Sequence, residues 1–151
     1  MLMGRNGPAG GVTGLLVAAI VLLIDQLTKL MAVHDTGFVP RNPSYAFGIV
    51  GGSATVLIAG ALGVLGAFLV VARALATRFG VSVLLPALVA GGTLGNTLDR
   101  LRLGAVRDFM ATPWAIINVA DLAVAAGVVG LAIALAVRVR RLRMQLATLT
   151  R

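Results

Sequence analysis

Four apolar runs of membrane-crossing length, at 11–33, 53–72, 81–98 and 114–137, leave this chain few ways to fold. A helix needs about 20 residues to cross the ~30 Å hydrocarbon layer. Within that layer every backbone polar group must be satisfied by the chain itself, which helices achieve. The runs therefore predict an all-α membrane protein, 1–151, with four transmembrane helices in a single domain. Apolar residues make up 59% of the chain and charged residues 12%, too apolar a balance for a soluble domain of this size. Arg5 ahead of the first run imitates a cleavable secretory signal. The run continues past a signal core, however, lacks a small-x-small cleavage site and heads three further spans.

The net charge of +8 is distributed as in a membrane protein rather than a nucleic-acid binder. Arg138, Arg140, Arg141, Arg143 and Arg151 form a basic tail, 138–151, directly after the last span, and no separate soluble basic domain exists to hold a duplex. Such a cluster marks the cytoplasmic side and meets anionic lipid. Four spans place both termini on one side. That side carries Arg5, Arg73, Arg78 and the five tail arginines, eight in all, against Arg41, Arg100, Arg102 and Arg107 opposite. Both termini are expected in the cytoplasm. Three of the outer arginines share a short loop with Asp99 and Asp108, which points to a site there.

The inventory of reactive groups is short. There is no cysteine and no glutamate, His34 is the only histidine, and all five acids are aspartates. Thiol nucleophiles and zinc sites of His and Cys ligands cannot be assembled, and His34 has no serine motif near it. Carboxylates and the single lysine, Lys29, remain. Asp121 lies inside the fourth apolar run, with Asn118 one helical turn before it. An ionisable group at such a depth is expensive unless it is paired or lines a wet cavity, which makes it a functional candidate. Asp108, thirteen positions earlier, adds the possibility of two carboxylates facing one site.

Other polar positions have plainer readings. Asp25 and Lys29 stand four apart, acid first, as in a helical ion pair at an interface. The segment between the first two spans contains Phe38, Tyr45 and Phe47, which suit the headgroup layer, and it predicts a small β-like extracytoplasmic segment. Asn42, before Pro43, has turn capping as its bland role. Gly60, Gly63 and Gly66 in the second span read as helix packing. Pro86 and the Gly91–Gly92 pair predict a weakened, bent third helix. Asn96–Asp99 and Asn118–Asp121 repeat an Asn-x-x-Asp pattern, and buried amides and carboxylates need one another as partners.

Four motifs in order resemble one family, signal peptidase II, the bacterial lipoprotein signal peptidases. DQLTK at 25–29 is similar to the family's DQxTK. Asn42 to Phe47 resembles its asparagine-containing segment ending in AF. GNTLDR at 95–100 followed by GAVRDF at 104–109 resembles GNxxDR and G-x-V-x-DF, and INVAD at 117–121 resembles FNxAD.

The resemblance implies an intramembrane aspartic endopeptidase with Asp108 and Asp121 as the catalytic pair and no metal or organic cofactor. Asn42, Arg100 and Asn118 match positions that contact the substrate backbone, Asn96 and Asp99 would orient that shell, and Asp25 and Lys29 would brace the first span. The implied partner is a prolipoprotein whose cysteine carries diacylglycerol, cut just before that cysteine by a monomer at the outer face of the bacterial cytoplasmic membrane. Ser44, Tyr45 and Ile117 depart from the family pattern, and the stretch between Asp108 and Asn118 is short. The competing readings are a catalytically silent relative that binds lipidated peptides or antibiotics, and a small transporter with Asp121 as proton relay. An intact aspartate pair speaks against the first, and polar residues gathered at one face speak against the second.

Overall fold

The computed structural model describes residues 8–43 and 53–149. Four helices dominate it: α1 (Pro8–Thr36), α2 (Ala54–Phe79), α3 (Leu84–Leu103) and α4 (Val119–Leu149). Three of them are long and apolar enough to cross a membrane, with candidate spans Gly10–Thr36, Thr55–Phe79 and Val119–Thr148. The third expected span, 81–98, is not among them. Its helix runs on to Leu103 and carries Asn96, Asp99, Arg100 and Arg102 in its second half.

The position of α3 accounts for that polarity. It packs against each of the other three helices, so much of its surface meets protein. The contacts are close because glycines line them. A Cβ at Gly91 would stand 2.6 Å from the Ala18 carbonyl oxygen of α1, and one at Gly92 would overlap the Ala120 carbonyl of α4. In return, Gly127 of α4 sits against Leu85 and Val89. The Gly91–Gly92 pair thus serves close approach, and α3 remains one uninterrupted helix, with Pro86 in its first turn, where no intrahelical donor is needed. Gly60, Gly63 and Gly66 of α2 behave in the opposite way: a Cβ at any of them would meet nothing within 4 Å. They are not a packing stripe. Instead α2 is joined to α3 and α4 toward its far end, where Ala72, Val81 and Leu131 are buried with Phe68 and Phe79 against them.

The β structure is wider than a segment between the first two helices. β1 (Arg41–Asn42) lies there, but its antiparallel partner is β2 (Val106–Arg107), with Arg41 opposite Arg107 and Asn42 opposite Val106. Gly104, at φ 72°, ends α3 in a left-handed conformation and turns the chain toward β2. A second pair joins β3 (Met110–Ala111) to β4 (Ile116–Ile117), and β4 occupies residues expected at the start of the fourth span. Trp114 is 91% exposed at its tip, and helix begins only at Val119. At its other end α4 continues through Arg138, Arg140, Arg141 and Arg143, so the tail is helical as far as Leu149.

Candidate functional site

The start of α4 is built by NVAD itself. The Asn118 side-chain oxygen accepts from the Asp121 backbone N–H at 3.0 Å, and an Asp121 carboxylate oxygen accepts from the Asn118 N–H at 3.2 Å. This reciprocal pair is a capping box, made with Asn and Asp in place of the usual Ser or Thr and Glu. Asp121 therefore stands in the first helical turn, at the very start of the candidate span Val119–Thr148, where a carboxylate also meets the favourable end of the helix dipole. From α1, Asp25 completes the cap by accepting the Ala120 N–H at 2.9 Å.

Asp108 reaches the same place from the loop after α3. Its backbone N–H donates to the Pro40 carbonyl at 3.1 Å, which with the β1–β2 pair ties it to the segment bearing Asn42. The Asn42 amide donates to one carboxylate oxygen at 3.1 Å and the Asn118 amide to the other at 2.6 Å. Asp121 accepts in turn from Asn96 Nδ2 at 2.8 Å. Asn118 thus bonds both aspartates. Burial pushes the Asp108 carboxyl above the usual carboxylate range, a push opposed by its two amide donors and reinforced by the neighbouring Asp121 charge.

Beside this pair lies a second buried group with a different composition. Lys29 and Asp25 are fully buried and meet at 2.8 Å, and Lys29 is 3.4 Å from the equally buried Asp99. Arg107 closes on Asp99 with its guanidinium, at 2.7 and 3.1 Å, and with its backbone N–H at 3.0 Å. Gln26 donates to Asp99 at 3.1 Å and accepts from Arg107 at 3.1 Å. Asp99, expected from the sequence to orient the substrate-contacting shell, stands outside the cavity described below and holds this network, Arg107 included. Gln26 and Arg107 are the functional-site residues that sequence reasoning left without a role. Their signals were available: Gln26 is the second letter of DQLTK, and Arg107 directly precedes Asp108.

A cavity of about 760 Å³ opens beside the aspartates. Asn42, Asn96, Arg100, Asp108 and Asp121 contribute its polar lining. Its apolar walls follow α2 from Val56 to Phe68, a rise of roughly 18 Å, and α4 from Val124 to Val128. Arg100, only 4% exposed, also donates to the Asn96 carbonyl at 3.4 Å. Asn118 is fully buried behind the two carboxylates it bonds. Ile117 lies in β4, opposite Met110. Ser44, Tyr45 and Phe47 fall outside the described residues, as do Arg5 and Arg151.

Apolar helices of spanning length, packed around buried carboxylates that open on a largely apolar cavity, define a membrane protein with an acidic site at one end of its bundle. The family model described as Signal peptidase (SPase) II matches residues 17–137. The lipoprotein signal peptidase of Moorella thermoacetica is 37% identical over 134 residues, covering 76% of this chain and 87% of that one. That of Methylorubrum extorquens is 36% identical over 141 residues, covering 79% and 82%. A bacterial membrane enzyme solved by the in meso method at 2.3 Å superposes with a TM-score of 0.71 at 25% identity, over 89% of this chain and 92% of the other. The chain belongs to the signal peptidase II family of lipoprotein signal peptidases.

Proposed function

We propose that Asp108 and Asp121 are the catalytic pair with which this lipoprotein signal peptidase hydrolyses the bond before the lipid-modified cysteine of a diacylglyceryl-prolipoprotein. The observation that carries this reading is their shared setting: both line one cavity, and one buried asparagine, Asn118, bonds both. Two neighbouring carboxylates cannot both ionise cheaply and hold one proton between them. The ionised member takes a proton from water as its oxygen attacks the scissile carbonyl, while the protonated member hydrogen-bonds the carbonyl oxygen. When the tetrahedral intermediate collapses, the carbon–nitrogen bond breaks and the departing amine receives a proton from the pair. The pair titrates as a unit, so neither aspartate owns the proton.

Asn42 and Asn118 hold Asp108 at both oxygens, and the cavity-facing Arg100 and Asn42 offer donors to the substrate backbone. The apolar walls along α2 and α4 suit the lipid chains or the apolar stretch of the signal peptide. α3, with 20 residues and a rise of roughly 30 Å, is the fourth membrane-crossing helix, with Thr97, Asp99 and Arg100 of its polar half buried. Arg73, Arg78, Arg138, Arg140, Arg141 and Arg143 lie at the end remote from the site. There Arg138 Nη2 would come within 3.6 Å of a Cβ at Gly80. These charges support a cytoplasmic position for both termini, against anionic lipid, with the site toward the extracytoplasmic face of the bacterial cytoplasmic membrane. The aspartates and their partners all come from one chain, which fits a monomer.

Processing of a diacylglyceryl-prolipoprotein by the purified protein tests the reading. Asp108→Asn and Asp121→Asn should each lower the cleavage rate by about a hundred- to ten-thousandfold. Wild-type rates in both variants would overturn it.

A further inference from the structure

Because lysine can only donate hydrogen bonds, the atom of Asn96 that Lys29 touches must be its carbonyl oxygen. That contact is 2.9 Å, and Lys29 lies on α1, away from the cavity. The consequence travels. With its oxygen turned to the ammonium, Asn96 must present its NH2 to Asp121, at 2.8 Å. The same oxygen accepts from the Asn118 NH2 at 3.1 Å, and that NH2 also reaches Asp108 at 2.6 Å. The Asn118 oxygen is then left to accept the Asp121 N–H at 3.0 Å. The Asn96 and Asn118 amides are thus both oriented from one cation, and through them each aspartate receives an N–H. We propose that Lys29 is a positioning residue for the aspartate pair, acting through the Asn96 amide to keep both carboxylates as hydrogen-bond acceptors and so to set the pH range over which they share one proton.

This rests on the catalytic reading of Asp108 and Asp121 and adds to it a residue that touches neither substrate nor reacting atoms. The alternative orientation shows why the cation matters. An Asn96 turned over would aim its oxygen at Asp121, which would then need a proton to answer it, and the pair would lose its free choice of proton position. The charged groups around the pair are Asp25 and Lys29 from α1, Asp99 and Arg100 from α3, Arg107 from β2 and Arg41 from β1, whereas the cavity lining from α2 is apolar. Of the cations, Lys29 is fully buried and bonded to Asn96 through its side chain. Asp25 and Asp99 hold it there, at 2.8 and 3.4 Å.

The test is the pH–rate profile of prolipoprotein cleavage by the full-length protein in detergent. Asp108→Asn and Asp121→Asn come first: near-wild-type cleavage there would sink the catalytic reading itself. Asn96→Leu removes the relay and leaves the Lys29 pairs with Asp25 and Asp99 intact. We expect it to lower kcat by about tenfold, with KM little changed, and to move the profile up by about one pH unit, since the carboxylates lose a donor that favours their charged form. Lys29→Met should move the profile the same way in the wild-type background and add little in the Asn96→Leu background. If Lys29→Met does not fold, Asn96→Leu alone decides. An unmoved profile in Asn96→Leu, or a Lys29→Met shift of undiminished size in its presence, would overturn the proposal while leaving the aspartate pair in place.

Discussion

The chain contains the pattern Asn-x-x-Asp twice, and the two copies are different objects. Asn96 and Asp99 lie near the end of α3, and Asp99 faces cations: Lys29 at 3.4 Å and Arg107 at 2.7 Å. Asn118 and Asp121 form the capping box that starts α4, and the partners of Asp121 are an asparagine amide and backbone N–H. A carboxylate pinned by cations stays ionised and serves as structure. One held by neutral amides beside a second carboxylate keeps a proton within reach. Partner type, rather than sequence pattern, separates support from chemistry here.

The sharpest way to break that contrast is to neutralise each aspartate and compare what is lost. Asp121→Asn should lose cleavage by about a hundred- to ten-thousandfold while its melting temperature in detergent stays close to wild type. Asp99→Ala should do the reverse in kind. It takes from Arg107 its buried carboxylate and leaves Lys29 paired only with Asp25, a weakening of a buried charge network that costs up to about 3–5 kcal/mol, and a thermal melt should fall accordingly. Equal losses of stability in the two variants would erase the distinction.

A smaller effect contrasts the helices that carry these groups. Gly92→Ala pushes a methyl into the Ala120 backbone and should cost about 1–3 kcal/mol, because nothing there can yield cheaply. Gly63→Ala adds a methyl to open space on α2 and should gain up to about 1 kcal/mol from helix propensity alone. Melting temperatures of the two variants moving in the same direction would contradict this division between a packed α3 and a loosely held α2.

Much of this arrangement was legible in the residues, and what was not has physical causes. The residues that meet around the aspartates, from Asn42 to Asn118, were all singled out from motifs, and the short ion pair of Asp25 with Lys29 follows from their spacing. Hydropathy misplaced the fourth helix because Trp114, Ile116 and Ile117 are apolar without being helical: they belong to a strand pair that apolarity alone does not reveal. Apolarity along α3 is diluted by Asn96, Asp99, Arg100 and Arg102, polar groups whose place is set by the helices packed around them. The β1–β2 pair joins residues more than sixty positions apart through two-residue strands, too short for any alternation to appear. Arg107 was visible as a loop arginine, but its grip on Asp99 depends on the turn at Gly104, which brings it back along α3.

The smallest expected effect is a slope. Asp108 keeps its proton in the folded protein to a higher pH than the usual carboxylate value of 3.8, chiefly because it is buried. Over that interval the folded state binds more protons than the unfolded state, so stability falls as pH rises through it. The contribution is unpenalised below the unfolded value and is fully unfavourable once Asp108 ionises in the folded protein. Asp108→Asn has no proton to lose and should remove this part of the slope. Melting temperatures of wild type and variant, followed upward from about pH 4 near the carboxylate reference, should therefore change in the variant's favour as the pH increases. A difference that stays flat, or turns toward wild type, would mean that Asp108 is stabilised as a charged group in the same way as Asp99, and the contrast between the two kinds of carboxylate would fail at its most direct point.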